Sequence, residues 1–342
     1  MVISSIKSCT VIVCIFLLKA DYDVLSVILG GLISYAINLL IQIYILYKIT
    51  GWKFTFTKPK IRKAIWSNVF YSELGQAATV ASSMFPLYLL SGFGSGIISV
   101  MNYGKNIADI PNTLVTSQFA NVIGIKLNEQ AAQENYAGMN ETFLDISKLM
   151  LFILVPLGCF MFVFAEPVVE LFYKHGSFTQ GDVVESAKFM QLLSITIFSI
   201  GVNAVVTRIF IAMQAIKRAF FYQLILNVLL IAGIWVFTTQ YGEYGYPYGV
   251  ILVNCINYIG MYFICKKYFK VIEYGKLLKY SAKIMAINLP LAALLYYWLL
   301  SPDIDSLYKL LLGLIIYLAM FILMMRIKGL GIYETNKENE KA

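Results

Sequence analysis

Long apolar stretches separated by short polar segments run the length of the 342-residue chain. A helix crosses a bilayer with ~20 mostly apolar residues. Ten stretches approach or exceed that length: 2–18, 24–47, 64–90, 96–125, 149–165, 189–213, 220–238, 246–265, 280–300 and 307–325. Their apolar residues are continuous rather than alternating, which excludes a transmembrane β-barrel. The pattern predicts an all-α polytopic membrane protein of about ten transmembrane helices. It also divides the chain into two helices over 1–48, a basic cytoplasmic linker over 49–63, a six-helix unit over 64–268, a basic loop with a terminal helix pair over 269–326, and a charged tail over 327–342.

Composition agrees. The chain is 59% hydrophobic and 13% charged with a mean hydropathy of +0.73, against about 45–50% apolar and about 25% charged in soluble domains. A secreted disulfide protein, a cytosolic enzyme with one anchor and a disordered chain are excluded. The net charge of +8 reflects topology rather than nucleic acid, because basic residues gather in cytoplasmic loops. With the N-terminus inside, 21 of the 27 basic residues fall on the cytoplasmic side, including Lys58, Lys60 and Arg62 before the third span and Lys266, Lys267 and Lys270 after the eighth. Both termini are then cytoplasmic. The segment 126–148, with Glu129, Glu134, Glu141 and Asp145, reads as a cytoplasmic surface helix or turn. The segment 166–188 reads as an outer loop whose aromatic-flanked glycine turn anchors at the interface.

A charge near the bilayer centre costs about 2.5–3.5 kcal/mol on insertion scales, so such groups face a bundle interior or a wet cavity. Glu73 lies in the third span, Lys105 and Asp109 in the fourth, and Arg208 in the sixth. Lys105 and Asp109 are four apart and share a helix face. Asn102, Asn106, Asn112 and Gln118 lie on or beside that face, and the third span adds Ser72, Gln76, Thr79, Ser82 and Ser83. The expected substrate or ion cavity therefore comprises Glu73, Gln76, Lys105, Asn106, Asp109 and Arg208. Two alternatives stand beside this: Lys105–Asp109 as a structural ion pair, and Arg208 snorkelling to the cytoplasmic interface. Pro86, Pro111 and Gly94 are the expected bends, since proline breaks the backbone ladder and Gly94 sits in the glycine run between the third and fourth spans.

Catalytic signatures are missing from the sequence. It contains no GxxxxGK[ST], GxSxG or HExxH. The five cysteines lack CxxC spacing and His175 is the single histidine, so no metal, no cofactor and no enzyme activity are expected. The pairs Asp21/Asp23 and Asp303/Asp305 read as solvated turns.

The stretch from Gly96 to Pro111, ending Lys105-Asn106-Ile107-Ala108-Asp109-Ile110-Pro111, resembles the eighth helix of MurJ/MviN-type lipid II flippases of the multidrug/oligosaccharidyl-lipid/polysaccharide exporter superfamily. Asp109 and Pro111 match that family's acidic and proline positions. Asn106 takes its basic position, with Lys105 one residue earlier. Glu170 to Phe178 resembles the family's L-F-x-x-G-x-F stretch, and Thr207 to Lys217 its tenth-helix ending, with Arg208 on the arginine. The resemblance covers about residues 24–265 and implies the later part of a fourteen-helix, two-lobe flippase, starting at the fifth helix. It implies transport of a polyprenyl-diphosphate-linked cell-wall precursor or polysaccharide unit to the outer leaflet of a bacterial inner membrane. Membrane potential or a coupled monovalent cation would drive it. Membrane lipids would surround the chain, nucleic acid would have no part, and a separate fragment could supply the first four helices. The alternatives are an O-antigen-type or drug exporter of the same superfamily, a membrane-embedded glycan polymerase or acyltransferase, or an inactive remnant.

The topology makes a direct prediction. In a background lacking the five native cysteines, a cysteine at Ser177 is labelled by an impermeant maleimide in intact cells, and one at Lys58 only after lysis. The reverse pattern disproves the orientation.

Overall fold

The structure, a computed structural model, describes residues 2–22, 25–51, 53, 63–299 and 306–327. Its described regular structure is helical throughout, as hydrocarbon requires of a chain that must satisfy its own backbone. All ten expected spans fall on helix. The chain forms two compact units, Met1–Arg62 and Lys63–Ala342. Most of the basic linker, Asp303, Asp305 and the tail from 328 onward lie outside the described residues.

The first unit is a helical pair, α1 (Val2–Tyr22) and α2 (Leu25–Thr50). Ser26, Gly30 and Ser34, spaced by four, are the buried residues of α2. A Cβ on Gly30 would stand 2.9 Å from the Cys14 Cβ. Small residues at this spacing let two backbones approach closely, which in lipid substitutes for a hydrophobic drive.

The second unit comprises α3 (Lys63–Leu90), α4 (Ile97–Ala108), α5 (Ser117–Ala132), α6 (Tyr136–Val163), α7 (Ala165–Tyr173), α8 (Gln180–Ser194), α9 (Ile197–Ala212), α10 (Ile216–Tyr241), α11 (Gly245–Tyr268), α12 (Tyr274–Leu299) and α13 (Ser306–Arg326). The mast of this unit is α6. Its Phe143, Met150, Leu151, Phe152 and Leu154 are fully buried, and it packs against α5, α8, α9 and α12. By length and apolarity alone, α2, α6, α12, α13 and the run Ile216–Tyr268 qualify as spans, and the bent pair α8–α9 qualifies jointly. The 53-residue run is a hairpin rather than one rod. Gly245 abuts Thr238, and a Cβ on Gly249 would lie 2.7 Å from the Ile234 nitrogen. The third span and the α4–α5 rod fall short of that apolarity, consistent with the polar residues noted above.

Three local readings change. Segment 126–148 consists of the ends of α5 and α6 joined by a tight turn in which Glu134 adopts φ 54° and the Asn135 side chain accepts from the Gly138 N–H. Segment 166–188 is not a loop but α7 and half of α8, joined by a turn at Gly176, φ 64°. A reciprocal cap between Thr179 and Asp182 starts α8, and its hydrogen bonds hold the Asp182 carboxyl below the ordinary range. The turn's aromatics pack inward as well as outward: Tyr173 and Phe178 lie 4.7 and 5.1 Å from Tyr103 of α4, ring centre to ring centre, while Leu171 and Phe172 stay exposed. The sixth span is broken at Ile195–Thr196 and bent by 45°. No proline is present there. The hydroxyls of Ser194, Thr196 and Ser199 each donate to a carbonyl three residues back, a bond that competes with the helical ladder.

Gly94 (φ 137°) and Gly96 (φ 101°) make the turn from α3 to α4, which supports the expected bend at Gly94. Pro86 is buried within α3, whose helical assignment continues through it. At Gly104, α4 and α8 meet almost backbone to backbone. A Cβ there would strike the Ser186 carbonyl and stand 2.9 Å from the Met190 nitrogen. Gly104→Val therefore lowers the thermal stability of the detergent-purified protein by about 1–3 kcal/mol or more, the cost of overpacking against unyielding atoms. Gly31→Ala, where nothing lies within 4 Å, leaves it unchanged or raised. Equal melting of wild type and Gly104→Val would contradict the packing described.

Candidate functional site

The fourth span is interrupted in its middle. Asp109 ends α4, Pro111 supplies no N–H, and the chain continues through a single π turn over Asn112–Thr116 before α5. The Ser117 N–H reaches the Asn112 carbonyl, five residues back. Side chains take up the remaining polar groups. Thr113 Oγ1 donates to the Asp109 carbonyl at 3.1 Å, Thr116 Oγ1 to Asn112 Oδ1 at 3.2 Å and Ser117 Oγ to the Asn112 carbonyl at 3.2 Å. Isolated π turns of this kind often mark functional sites. The bend expected at Pro111 is thus a turn of altered winding.

One turn before the break, Lys105 Nζ donates to Asp109 Oδ2 at 2.6 Å. The two side chains are 41% and 45% exposed, while Met101, Gly104, Ile107 and Ala108 form the buried side of α4. The pair therefore faces away from the unit's own core. It lies about 12–18 Å along α4 from Ile97, near the midpoint of a membrane-length helix. Asn102 and Asn106 are exposed beside it, and the buried Tyr246 at the start of α11 is within electrostatic reach of Asp109.

Arg208 does not join this pair. Its Nη2 donates to Asn121 Oδ1 of α5 at 2.7 Å, and its stem lies over Gly124, where a Cβ would be 3.2 Å from Arg208 Cδ. Asn121 follows Asp109 by twelve residues, so Arg208 meets the same rod about 18 Å further along. It sits one turn from the end of α9, clamped to α5. Glu73 is exposed on α3 and, among the described residues, forms no hydrogen bond or ion pair.

Gln76 belongs to a separate cavity of about 470 Å³ between α3, α9 and α10, whose polar lining is Ser72, Gln76, Thr79, Asn203, Thr207 and Gln223. The sequence reading named the three α3 residues but missed Asn203, Thr207 and Gln223, and also Asn121 and Gly124. Asn203, Thr207 and Ile211 do repeat at helical spacing, but α9 is otherwise strongly apolar and hides them. Nothing in the sequence pairs Asn121 with a residue 87 positions away. Among the described residues no group of three His, Cys, Asp or Glu could hold a metal ion.

A polytopic helical membrane unit with a broken, charged helix and a polar lateral cavity is the architecture of a transporter with discontinuous helices. A family model described as lipid II flippase MurJ matches residues 2–324. The chain belongs to the MurJ family. It is similar to probable lipid II flippases MurJ of Bdellovibrio bacteriovorus, 21% identical over 66% of this chain and 45% of the relative, and of Borreliella burgdorferi, 23% identical over 84% and 57%. The lipid II flippase MurJ of Thermosipho africanus is 23% identical over 49% of this chain and 34% of that one. A solved structure, lipid II flippase MurJ in an inward closed conformation, matches in fold with a TM-score of 0.72 at 20% identity, over 94% of this chain and 65% of its own. The chain thus spans about half the length, or less, of the curated relatives it matches. Its family is one of multi-pass inner-membrane transporters, not of enzymes.

The ion pair has a stability signature. Lys105→Met or Asp109→Leu alone strands a charge in low dielectric and destabilises the protein by about 3–5 kcal/mol if the pair is lipid-buried. The double substitution restores most of that loss. Thermal unfolding in nanodiscs checks this, and single variants as stable as wild type would show the pair to be water-exposed.

Proposed function

We propose that this chain carries part of the path by which a lipid flippase moves a polyprenyl-diphosphate-linked cell-wall precursor, lipid II or a close relative, from the inner to the outer leaflet. The observation that carries this reading is the Lys105–Asp109 pair, held at mid-helix beside the π turn and facing out of its own unit. Family membership and the relatives' printed names support the substrate class. Lys105 would meet the diphosphate through charge-assisted hydrogen bonds. Asp109 would hold that lysine when no substrate is bound and release it when phosphate competes. Arg208, fixed by Asn121 and Gly124, would offer a second cationic contact nearer the cytoplasm. Glu73 and Asn106 line the same path in this reading, and the membrane potential or a monovalent cation gradient supplies the energy. Both termini are placed in the cytoplasm by the distribution of basic residues.

The test uses the chain within a complete two-lobed transporter, formed with whatever further helices that requires. Lys105→Ala, Asp109→Ala and Arg208→Ala each reduce precursor flipping in proteoliposomes by about tenfold to a hundredfold, as the loss of a charge-assisted hydrogen bond of roughly 1.5–3 kcal/mol implies. The Lys105→Met/Asp109→Leu double variant recovers stability but not transport. Normal flipping by the double variant would reduce the pair to a structural role and remove the basis of this reading.

A further inference from the structure

We infer that the cavity between α3, α9 and α10 is a binding site for a neutral sugar ring, of hexose or N-acetylhexosamine type. The inference deepens the flippase reading and rests on it for the source of the sugar, the glycan of a lipid-linked precursor. The cavity has about 470 Å³ of space, within the range of ~300–1,000 Å³ typical of small-molecule sites. Its lining residues include no Asp, Glu, Lys, Arg or His. A cation would find no carboxylate there and a phosphate no positive charge. A lipid tail would leave the amides and hydroxyls unpaired, a costly arrangement.

The polar groups it does hold suit a polyhydroxylated ring. Gln76, Asn203 and Gln223 carry amides that both donate and accept. The Thr79 and Thr207 hydroxyls give their protons to the Gly75 and Asn203 carbonyls, which leaves their oxygens as acceptors for sugar O–H groups. Each of the three helices contributes: Ser72, Gln76 and Thr79 stand one turn apart on α3, Asn203 and Thr207 one turn apart on α9, and Gln223 on α10. Tyr71 and Phe220 form an aromatic wall with ring centres 5.4 Å apart, a surface on which the C–H face of a pyranose stacks. Lys217 lies over the Tyr71 ring at 5.6 Å. A glycan seated in the cavity would place its diphosphate toward this cation, outside the neutral lining. The cavity adjoins the turn between α9 and α10, which the proposed topology puts on the cytoplasmic side, where the precursor is collected.

The test compares two lipids on the purified full chain in nanodiscs: undecaprenyl diphosphate bearing an N-acetylhexosamine disaccharide, and undecaprenyl diphosphate alone. Wild type prefers the glycan-bearing lipid by roughly tenfold or more, the discrimination a site built to hydrogen-bond a ligand achieves. In Asn203→Leu/Thr207→Val, with an unchanged gel-filtration profile and melting temperature, the ratio falls to about one. A wild type without preference, or a double variant that keeps it, overturns the sugar site and leaves the flippase reading standing. Should neither lipid bind, the flippase reading falls and a second arm decides the site. A photoreactive N,N′-diacetylchitobiose labels peptides of α3 and α9 in wild type and not in the double variant. Absence of that labelling overturns the proposal. Should the double variant be unstable, Gln223→Met replaces it, with the same two outcomes.

Discussion

Backbone polar groups have no water to turn to in hydrocarbon, and the rest of this molecule follows from that constraint. Where the ladder is intact the helices need nothing more, and small residues or apolar side chains fit them together. Where it is broken, nearby side chains must replace the missing partners. The break after Asp109 recruits Thr113, Thr116 and Ser117, and the break at Ile195–Thr196 recruits three hydroxyls within six residues. The fourth and sixth spans are thus the two in which polarity is structural as well as functional. The charged pair sits at the first break because the chain is already committed there to polar company.

The two breaks differ in what holds them. The one in the fourth span begins with a proline and faces out of its unit beside Lys105 and Asp109. The one between α8 and α9 is supported from inside: a Cβ on Gly158 of α6 would stand 3.1 Å from the Ser194 carbonyl. Tyr103, Tyr173 and Phe178 bind the outer segment to α4, and Asn140 joins α6 to the basic loop before α12. Its Nδ2 donates to Glu273 Oε2 at 3.0 Å and its Oδ1 accepts from the Glu273 N–H at 2.9 Å. Lys276 and then Asn140 draw the Glu273 carboxyl below the ordinary range, so that anchor is ionic except in strong acid.

Much of this was legible in the sequence because hydropathy in a membrane is a one-dimensional signal. The ten stretches, the glycine turn at Gly94 and Gly96, and the i,i+4 pair of Lys105 and Asp109 all depend on residues close in the chain. What escaped depends on residues distant in it. The partner of Arg208 comes from another helix, and three of the cavity's polar residues come from helices that are apolar on average. The hydroxyl-made break after Ser194 was invisible because serine and threonine are ordinary membrane-helix residues. Segment 166–188 looked like a loop because its charges hid the Thr179–Asp182 cap that starts a helix.

The π turn holds one residue more than an α-helix would over the same rise. Such an extra residue is not tied to one place. If it passes along the rod by a turn, every residue it crosses rotates by about 100° and slides by about 1.5 Å relative to its neighbours. Asn121 lies little more than one turn beyond the present location, and Asp109 just before it. Shifting the surplus toward α5 would swing Asn121 off Arg208 while Asp109 kept its hold on Lys105. Shifting it toward α4 would do the opposite. The fourth span therefore works as a crank with two handles, in which a winding defect, rather than a rigid tilt, decides which cation is released.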